Sequence, residues 1–390
     1  MFLVGMMVTL AGCQEPFNAK NGNGLQIKIS AMSNNVETKT SYSGEVKNGR
    51  ERIDWVAGDK IRIFSEDVDL VACANGMNGN SYNYVMDNGQ KRDYYDYTIA
   101  ANGTPREGSE YMSDSSLNND GEGVGLVWVN DPTGTASVYG IYPTGTSTRT
   151  SDGRLWGYRD LSVSATSGFT WSDKTEDNKT VKTGVPSTDY MKSAVMVAAP
   201  EKFRKDEDTG NPSVELKFYP IFNAFEVQLE GENEDLVTIK SLSLHSGVSQ
   251  LTGNYAYYYR NKSDAQNTHW NNGPVIGGVD YNSGTGTQDT IVSVTFPNET
   301  VISNEKAVKA TLLTLPPADG HPLTNLILTV TYGSNNTKKH LALKKNNAFI
   351  QFPVFQKARL KARMKGDEWL IFFEVSVDNW VPLDTISLNI

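Results

Sequence analysis

Apolar and polar residues alternate along most of this 390-residue chain, and this pattern limits the folds it can adopt. Successive side chains of a β-strand point to opposite faces, so a period of two predicts strands with one buried face. Leu25, Ile27 and Ile29, for example, alternate with polar residues. Similar rows recur along the chain: Ile61 and Ile63; Val214, Leu216 and Phe218; Phe225, Val227 and Leu229; Val292, Val294 and Phe296; Leu326, Leu328, Val330 and Tyr332; Ile371, Phe373, Val375 and Val377; Ile386, Leu388 and Ile390.

Turn-forming pairs separate many of these rows. Asn75-Gly76 and Asn88-Gly89 are typical of tight hairpins, which require positive φ angles. The apolar phase slips at Ser241, which predicts a β-bulge. Segments 304–313 and 356–363 are ambiguous between helix and strand, and we interpret both as strands. Short strands with frequent turns predict an all-β protein made of β-sandwiches.

The first thirteen residues have the order of an export signal that ends in a lipid-attachment site. Residues 1–9 form an apolar run too short for a membrane helix, and Leu10-Ala11-Gly12-Cys13 follows. This order matches the lipobox of bacterial lipoproteins, in which the cysteine takes the lipid. No Lys or Arg precedes the run, and the alternative is a chance cysteine after an apolar stretch. We predict lipidation at Cys13 and a polar tether over residues 14–24.

A length of 390 residues is enough for two or three domains. We place one boundary near Gly231–Asp235, which divides the remaining chain into segments 25–232 and 233–390. The charged segment Lys202–Pro212 is either a linker or a long hairpin loop, because alternation resumes directly after it.

No pattern typical of catalysis or of metal binding is found in the sequence. The four histidines (His245, His269, His321 and His340) lack metal-ligand spacing, and nucleophile, phosphate-loop and dinucleotide motifs are absent. Asp206-Glu207-Asp208 resembles the start of a calcium loop without its later ligands. We expect a protein without cofactor that is not an enzyme, although a glycosidase carboxylate pair need not be close in sequence.

The remaining chemistry concerns charge, aromatic residues and the second cysteine. The net charge is −9 and the sequence shows no basic patch or stripe, so a nucleic-acid partner is not expected. Cys73 lies among apolar residues, which predicts a buried and inert thiol.

Tyrosines form two clusters, and these would either pack within strands or contact a glycan or a host protein. The clusters are Tyr82, Tyr84, Tyr94, Tyr95 and Tyr97, and Tyr255, Tyr257, Tyr258 and Tyr259.

The order of several motifs resembles the fimbrillin family, the subunits of type V pili in Bacteroidales. After the lipobox comes Thr38-Lys39-Thr40-Ser41-Tyr42-Ser43-Gly44. Ile53-Asp54-Trp55-Val56-Ala57-Gly58-Asp59-Lys60-Ile61-Arg62-Ile63 is similar to the family pattern I-x-W-x-x-G-D-x-I-x-I. Tyr139-Gly140-Ile141-Tyr142-Pro143 is similar to its Y-x-Y-P strand end. Segment 237–255, with Gly253-Asn254-Tyr255, resembles the opening of its second domain.

The resemblance implies two tandem transthyretin-like or immunoglobulin-like β-sandwich domains and a lipoprotein of the outer membrane. It also implies a pilus subunit that polymerises with other subunits by strand exchange after proteolysis. The strand expected to leave contains Leu25, Ile27 and Ile29, and the donor strand expected to replace it contains Ile386, Leu388 and Ile390. The alternative is a monomeric, lipid-anchored surface protein that binds glycans or host ligands.

The processing site departs from the family pattern, in which an Arg follows the first strand. Here the matching basic residue is Lys39, and Arg50 is the alternative. Two triplets, Asp289-Thr290-Ile291 and Asp384-Thr385-Ile386, resemble the O-glycosylation motif of exported proteins in this bacterial group.

Overall fold

A computed structural model gives the structure of part of the chain. It describes residues 25–26, 28–31, 41–47, 50–54, 60–65, 70–78, 81–87, 89–98, 125–128, 135–142, 147–149, 155–161, 168–191, 195–204, 213–216, 218–259, 276–280, 290–298, 300–315, 321–353, 356–365, 369–379 and 386–389. These residues are almost entirely β-strand, which confirms the all-β fold class. None of them forms a helix of the length and apolarity that a membrane span requires.

The strands of the first half of the chain are short. In chain order they are β1 (Leu25–Gln26), β2 (Lys28–Ala31), β3 (Ser41–Lys47), β4 (Arg50–Asp54), β5 (Lys60–Ser65), β6 (Leu70–Asn78), β7 (Ser81–Tyr84), β8 (Met86–Asp87), β9 (Gln90–Lys91), β10 (Tyr94–Thr98), β11 (Gly125–Trp128), β12 (Thr135–Tyr142), β13 (Ser147–Arg149), β14 (Leu155–Leu161), β15 (Phe169–Glu176) and β16 (Lys179–Pro186).

The second half begins with a short helix, α1 (Thr188–Met191), and then continues as strands. These are β17 (Met196–Arg204), β18 (Ser213–Leu216), β19 (Phe218–Pro220), β20 (Asn223–Gly231), β21 (Val237–Ser246), β22 (Gly253–Tyr259), β23 (Ile276–Asp280), β24 (Ile291–Thr295), β25 (Val301–Ile302), β26 (Lys306–Thr314), β27 (Leu326–Tyr332), β28 (Thr337–Ala342), β29 (Lys344–Lys345), β30 (Ala348–Phe349), β31 (Gln356–Lys365), β32 (Trp369–Asn379) and β33 (Ile386–Asn389).

The amino-terminal sandwich contains two sheets. One has the order β10-β5-β12-β17-β19, and the other has the order β1-β11-β6-β7. Ile63 and Tyr95 on the first sheet and Ala72 and Leu126 on the second are fully buried in one hydrophobic core. Burial of these apolar rows supplies the main favourable free energy for this part of the fold.

The carboxy-terminal sandwich pairs a six-stranded sheet with a five-stranded one. The six-stranded sheet has the order β15-β16-β26-β20-β31-β32. The other has the path β24-β21-β27-β28, with β25 beside β21. Strand β20 is central: it pairs antiparallel with β26 and parallel with β31. Its Phe225, Val227 and Leu229 are buried in the shared core.

Hydrogen-bonded pairs join the two predicted segments, 25–232 and 233–390. The predicted boundary lies in the turn between β20 and β21, but β20 itself belongs to the centre of the six-stranded sheet. Strand β16 pairs with β26, and β14 pairs with β22 in the sheet β13-β14-β22-β23. A period of two identifies a strand but not the strand with which it pairs. The sequence alone therefore assigned β16 and β20 to segment 25–232, with their neighbours in the chain.

Two local predictions are confirmed. The ambiguous segments are strands β26 and β31. The pairing of β21 with β27 shifts register between Ile239 and Ser241, as the phase slip indicated. Met196–Arg204 continues as β17 into the charged segment, whose residues 205–212 lie outside the described part of the chain.

The outward face of the six-stranded sheet carries a network of ion pairs. Lys357 Nζ lies 2.8 Å from Glu226 Oε2 on the neighbouring strand, and Arg359 Nε lies 3.5 Å from Glu226 Oε1. Glu230 accepts hydrogen bonds from Lys179 and from Arg363. Burial opposes ionisation of Glu226, but Lys357, Lys309 and Arg359 outweigh it and lower the pKa of the carboxyl.

Replacing Lys357 by methionine tests how much this network contributes to the free energy of unfolding. The Lys357 side chain is 1% exposed, so the change leaves the Glu226 carboxylate largely buried without its closest partner. We expect a loss of about 3 kcal/mol in the free energy of unfolding, the lower end of the range for breaking a buried pair. Lys182→Met, which removes the more exposed pair with Asp173, should cost less than about 1 kcal/mol. Equal losses in denaturant titrations would contradict the prediction.

The same network predicts an acid-sensitive stability. The folded protein lowers the pKa of Glu226. The ionised carboxylate therefore stabilises the fold above the pKa that Glu226 has in the unfolded chain, and this stability is lost as the pH falls through its pKa in the folded protein. We therefore expect Glu226→Gln to lose less stability than the unchanged chain between about pH 5 and about pH 3. Urea titrations at several pH values measure this difference, and parallel pH curves would refute it.

Candidate assembly interface

The carboxy-terminal strand lies in the middle of a three-stranded sheet with the order β18-β33-β2. Both of its neighbours are antiparallel to it. The predicted donor segment therefore pairs, within one molecule, with the predicted leaving segment on one side and with β18 on the other. The sheet joins the two ends of the described chain.

The register of this sheet aligns the apolar rows seen in the sequence. Ile386 lies opposite Leu216 on β18 and opposite Ala31 on β2. Leu388 lies opposite Val214 and Ile29 in the same two pairings. The intervening positions are polar on all three strands. Leu216 has a fully buried side chain, so Ile386 pairs with a core position.

The predicted leaving segment also pairs with a second strand, β11. Leu25 and Gln26 form β1, which pairs with Trp128 and Val127 of β11. Both β1 and β2 are terminal strands in the described sheets, so each has one paired edge. Release of residues 25–31 would therefore break two short edge pairings and leave β11 and β33 with an open edge.

Strand β11 itself is held in place from the side of the core. Tyr97 Oη accepts a hydrogen bond from the backbone N–H of Leu126 at 3.0 Å. Gly125 has φ +85°, and a Cβ at this position would lie 2.9 Å from Tyr97 Oη. Glycine at 125 therefore permits both the backbone angle and the close approach of the tyrosine.

The structure places only some of the residues predicted from the sequence. Cys13, Lys39, Ile27, Ile390 and the tether 14–24 lie outside the described residues. Arg50 is the first residue of β4, where it pairs with Lys47 of β3. Thr290 is half-buried, and its carbonyl accepts a hydrogen bond from the N–H of Ser246 at 2.9 Å.

The first tyrosine cluster belongs partly to the core. Tyr95 and Tyr97 are buried with ring centroids 5.0 Å apart, and Tyr94 packs against Phe64. Tyr84 is half-exposed, and Lys91 Nζ lies 3.8 Å from its ring centroid. The second cluster belongs to β22, whose backbone pairs with β14 and β23. Packing within strands, rather than ligand contact, thus accounts for Tyr95 and Tyr97.

Histidines and acidic residues form no metal site among the residues that the structure describes. His321 and His340 are exposed, His245 is half-buried, and His269 lies outside the described ranges. The Nδ1 atom of His340 is 2.8 Å from Thr329 Oγ1, so this ring has a partner on the neighbouring strand.

A group of lysines was not recognised in the sequence analysis. Lys338 and Lys339 lie on β28, and Lys344 and Lys345 form β29. We call these four residues the basic edge. The two pairs are separated by four residues, so they do not form a continuous run, but one strand and the hairpin that follows it carry both. The absence of Asp and Glu from residues 320–366 is the signal that could have revealed them.

Solved structures similar to this chain include candidate cell adhesion proteins and fimbrial proteins. A candidate cell adhesion protein from Bacteroides uniformis has 14% identity and a TM-score of 0.45, covering 84% of this chain and 93% of that one. One from Bacteroides ovatus has 13% identity and a TM-score of 0.41, covering 87% and 95%. The fimbrial anchor protein Mfa2 of Porphyromonas gingivalis has 11% identity and a TM-score of 0.25, covering 84% and 91%.

No protein-family model and no curated protein matches the chain. Identities and TM-scores at this level transfer neither a function nor a partner from those structures to this protein.

The pairing of β33 predicts different effects for neighbouring substitutions. Ile386→Asp places a carboxylate opposite the buried Leu216, whereas Ser387→Asp changes a position paired with Glu215 and Ser30. We expect Ile386→Asp to increase amide hydrogen exchange in β18 and β2 at least tenfold, because it sets a carboxylate opposite the buried side chain of Leu216. Ser387→Asp is the matched control, and equal exchange in the two variants would contradict the register.

Cys73 gives a test of the core beside β11. Its side chain is fully buried, and burial raises the pKa of the thiol to about 12, against the smaller opposite effect of Lys91. In a Cys13→Ala background we expect no reaction of the native chain with a thiol reagent at pH 8 and stoichiometric reaction after denaturation. Rapid labelling of the native protein would show that this core opens.

Proposed function

We propose that this protein is a subunit of a cell-surface fimbria, anchored by a lipid and assembled by exchange of terminal strands. The observation that carries the proposal is the pairing of β33 with both β18 and β2 within one chain. The motif order that resembles the fimbrillin family supports it independently. The adhesion and fimbrial proteins among the similar structures agree with it but do not carry it.

The sheet β18-β33-β2 suggests how assembly would be controlled. In the uncut chain both edges of β33 are hydrogen-bonded, so the strand offers no open edge to another subunit. Proteolysis that released β2 would free one edge and leave β33 paired only with β18. A strand of four residues with one partner is then able to exchange for the corresponding strand of a neighbour.

The apolar row at the end of the chain holds the last strand in place in either molecule. Ile386, Leu388 and Ile390 would each contribute about 1.5–3 kcal/mol on full burial, which is an upper bound. Backbone pairing with β18 would be the same in either molecule. The exchange is therefore nearly neutral for each strand, and loss of the leaving segment permits it by removing one of the two partners of β33.

The strand pairing favours Lys39 over Arg50 as the processing site. Strand β3 begins at Ser41, so a cut after Lys39 separates β1 and β2 from the fold and preserves the β3–β4 hairpin. A cut after Arg50 would divide this hairpin, because Arg50 pairs with Lys47. Strand β3 also lies against β16 and α1, so its removal would disturb the carboxy-terminal sandwich.

Export, lipidation at Cys13 and attachment to the outer membrane complete the proposal. A lipid on Cys13 with the tether 14–24 would hold the chain at the membrane until the cut releases the body of the subunit. The protein would then act structurally and as an adhesin, without enzyme activity. The alternative of a monomeric surface protein differs in one respect, since it needs no exchange of strands.

Controlled cleavage tests the assembly mechanism. A recognition sequence for a specific protease is inserted after Lys39 in the full chain with Cys13→Ala. After cleavage we expect a ladder of oligomers in size-exclusion chromatography and in gels without boiling. The same chain lacking residues 386–390 should be cut equally well and remain monomeric, because it has no strand to donate.

Two further results decide between the alternatives. A cleaved, folded chain that stays monomeric at high concentration would refute strand exchange and favour the monomeric surface protein. Amino-terminal sequencing of the mature protein from cells should give Thr40 as the first residue, and a start at Glu51 would show that Arg50 is the processing site.

A further inference from the structure

Positive charge is concentrated in one part of this acidic protein. Residues 320–366 contain nine Lys and Arg residues and no Asp or Glu, although the whole chain has 36 basic and 45 acidic residues. Strands β27 to β31 and the turns between them lie within this segment. A segregation of this kind produces a local positive potential that the net charge of −9 conceals.

The basic residues of this segment fall into two groups. On β31, Lys357 and Arg359 pair with Glu226, Lys361 pairs with Glu374, and Arg363 pairs with Glu230. These charges are compensated within the six-stranded sheet. On the basic edge, Lys338, Lys344 and Lys345 are exposed, and none of them has an ion-pair partner among the described residues. The positive charge of the segment is therefore uncompensated mainly at Lys338, Lys344 and Lys345 of the basic edge.

The backbone holds the basic edge rigidly. Strand β28 pairs with β27 from Thr337 to Ala342, and the adjacent Leu343 is fully buried. The backbone N–H of Ile350 donates a hydrogen bond to the carbonyl of Leu343 at 2.9 Å. Asn346 and Asn347 have φ angles of 52° and 64°, which fit a tight hairpin turn. The lysines consequently need little ordering of the main chain on binding a partner.

The spacing of the lysines selects an extended partner. Lys338 and Lys344 are six residues apart on consecutive strands, which corresponds to about 20 Å at about 3.3 Å per residue. A single phosphate or sulfate ion cannot contact both pairs. A polymer with repeated negative charges can do so, because lysine binds each anionic group as a point charge without a fixed geometry.

The sheet face beside Lys338 is free of carboxylates and rich in hydroxyl groups. Across the four strands, Lys338 is in register with Thr331, Ser241 and Thr295. The next row contains His340, Thr329, Ser243 and Ser293, and the third contains Ala342, Ile327, His245 and Ile291. All twelve positions are exposed or half-buried. Such a face offers hydrogen bonds to a hydroxylated polymer and no repulsion to an anionic one.

We propose that the basic edge and the adjoining hydroxyl-rich face bind a sulfated polysaccharide. Lysines would contact the sulfates, and the Ser and Thr rows would contact sugar hydroxyls. Single-stranded nucleic acid fits less well, because binding it requires exposed aromatic rings for stacking. The aromatic residue of this edge, Phe349, already has Lys344 Nζ 4.7 Å from its ring centroid. This proposal is independent of strand exchange and of the pilus.

Heparin of defined length, titrated against the full chain, tests the proposal. The variant Lys344→Gln with Lys345→Gln should bind at least tenfold more weakly than the unchanged chain. Its slope of log affinity against log salt should fall by about one for each lysine removed, because each contact releases a counterion. Lys174→Gln with Lys306→Gln removes two exposed lysines elsewhere and should leave the affinity unchanged. Thermal unfolding of both variants controls for stability.

The comparison of polymers decides which partner the surface fits. Neutral dextran should not bind, and DNA and polyglutamate of equal charge should bind at least tenfold more weakly than heparin. Equal binding of DNA or polyglutamate would overturn the assignment to a sugar chain. Heparin binding that is absent, or unchanged in the Lys344 and Lys345 variant, would overturn the site.

Discussion

The register of β20 between β26 and β31 is the constraint on which the carboxy-terminal sandwich depends. Phe225 lies opposite Leu312 on one side and opposite Ala358 on the other, although these partners are far apart in sequence. All three side chains are buried. A shift of one residue in either pairing would turn the apolar row outward and the carboxylates of Glu226 and Glu230 into the core.

The same register explains the charges of the neighbouring strands. Glu226 and Glu230 alternate with the apolar residues of β20, so they lie on the outward face of the sheet. Lys309 on β26 pairs with Glu176 on β15, and Lys357, Arg359 and Arg363 of β31 pair with the two carboxylates of β20. Basic residues on β31 are thus structural, whereas the exposed lysines on β28 and β29 add nothing that the sheet requires. Identical residue types in one acid-free segment therefore have different roles, set by the strand on which they lie.

Sequence alone predicted the kind of elements better than their arrangement. Alternation identified β20, β27 and β31 as strands and the bulge at Ser241, because these depend on local periodicity and local phase. It did not assign β20 to the six-stranded sheet, since strand partners that lie far apart in the chain leave no mark on either sequence. The burial of Tyr97 also depends on a later strand, because its hydroxyl accepts a hydrogen bond from Leu126 of β11.

The sequence likewise predicted the strands of the candidate interface but not how they pair. The apolar rows of residues 25–29 and 386–390 indicated two interchangeable strands, but not that they pair with each other. The lysine pairs were overlooked because a search for basic runs examines neighbours in sequence. Strand β28 and the hairpin after it place the two pairs along one edge, about 20 Å from end to end at about 3.3 Å per residue.

Strand lengths distinguish the central strands of the fold from the short strands at its two ends. Strand β20 has nine residues and two long partners, so its removal would expose the whole inner face of a sandwich. Strands β2 and β33 have four residues each, and β1 has two. Because pairing and burial both scale with length, these ends contribute little to the stability of either sandwich. A chain built in this way can lose its first strands while the central sheets stay folded, which is what the proposed assembly requires.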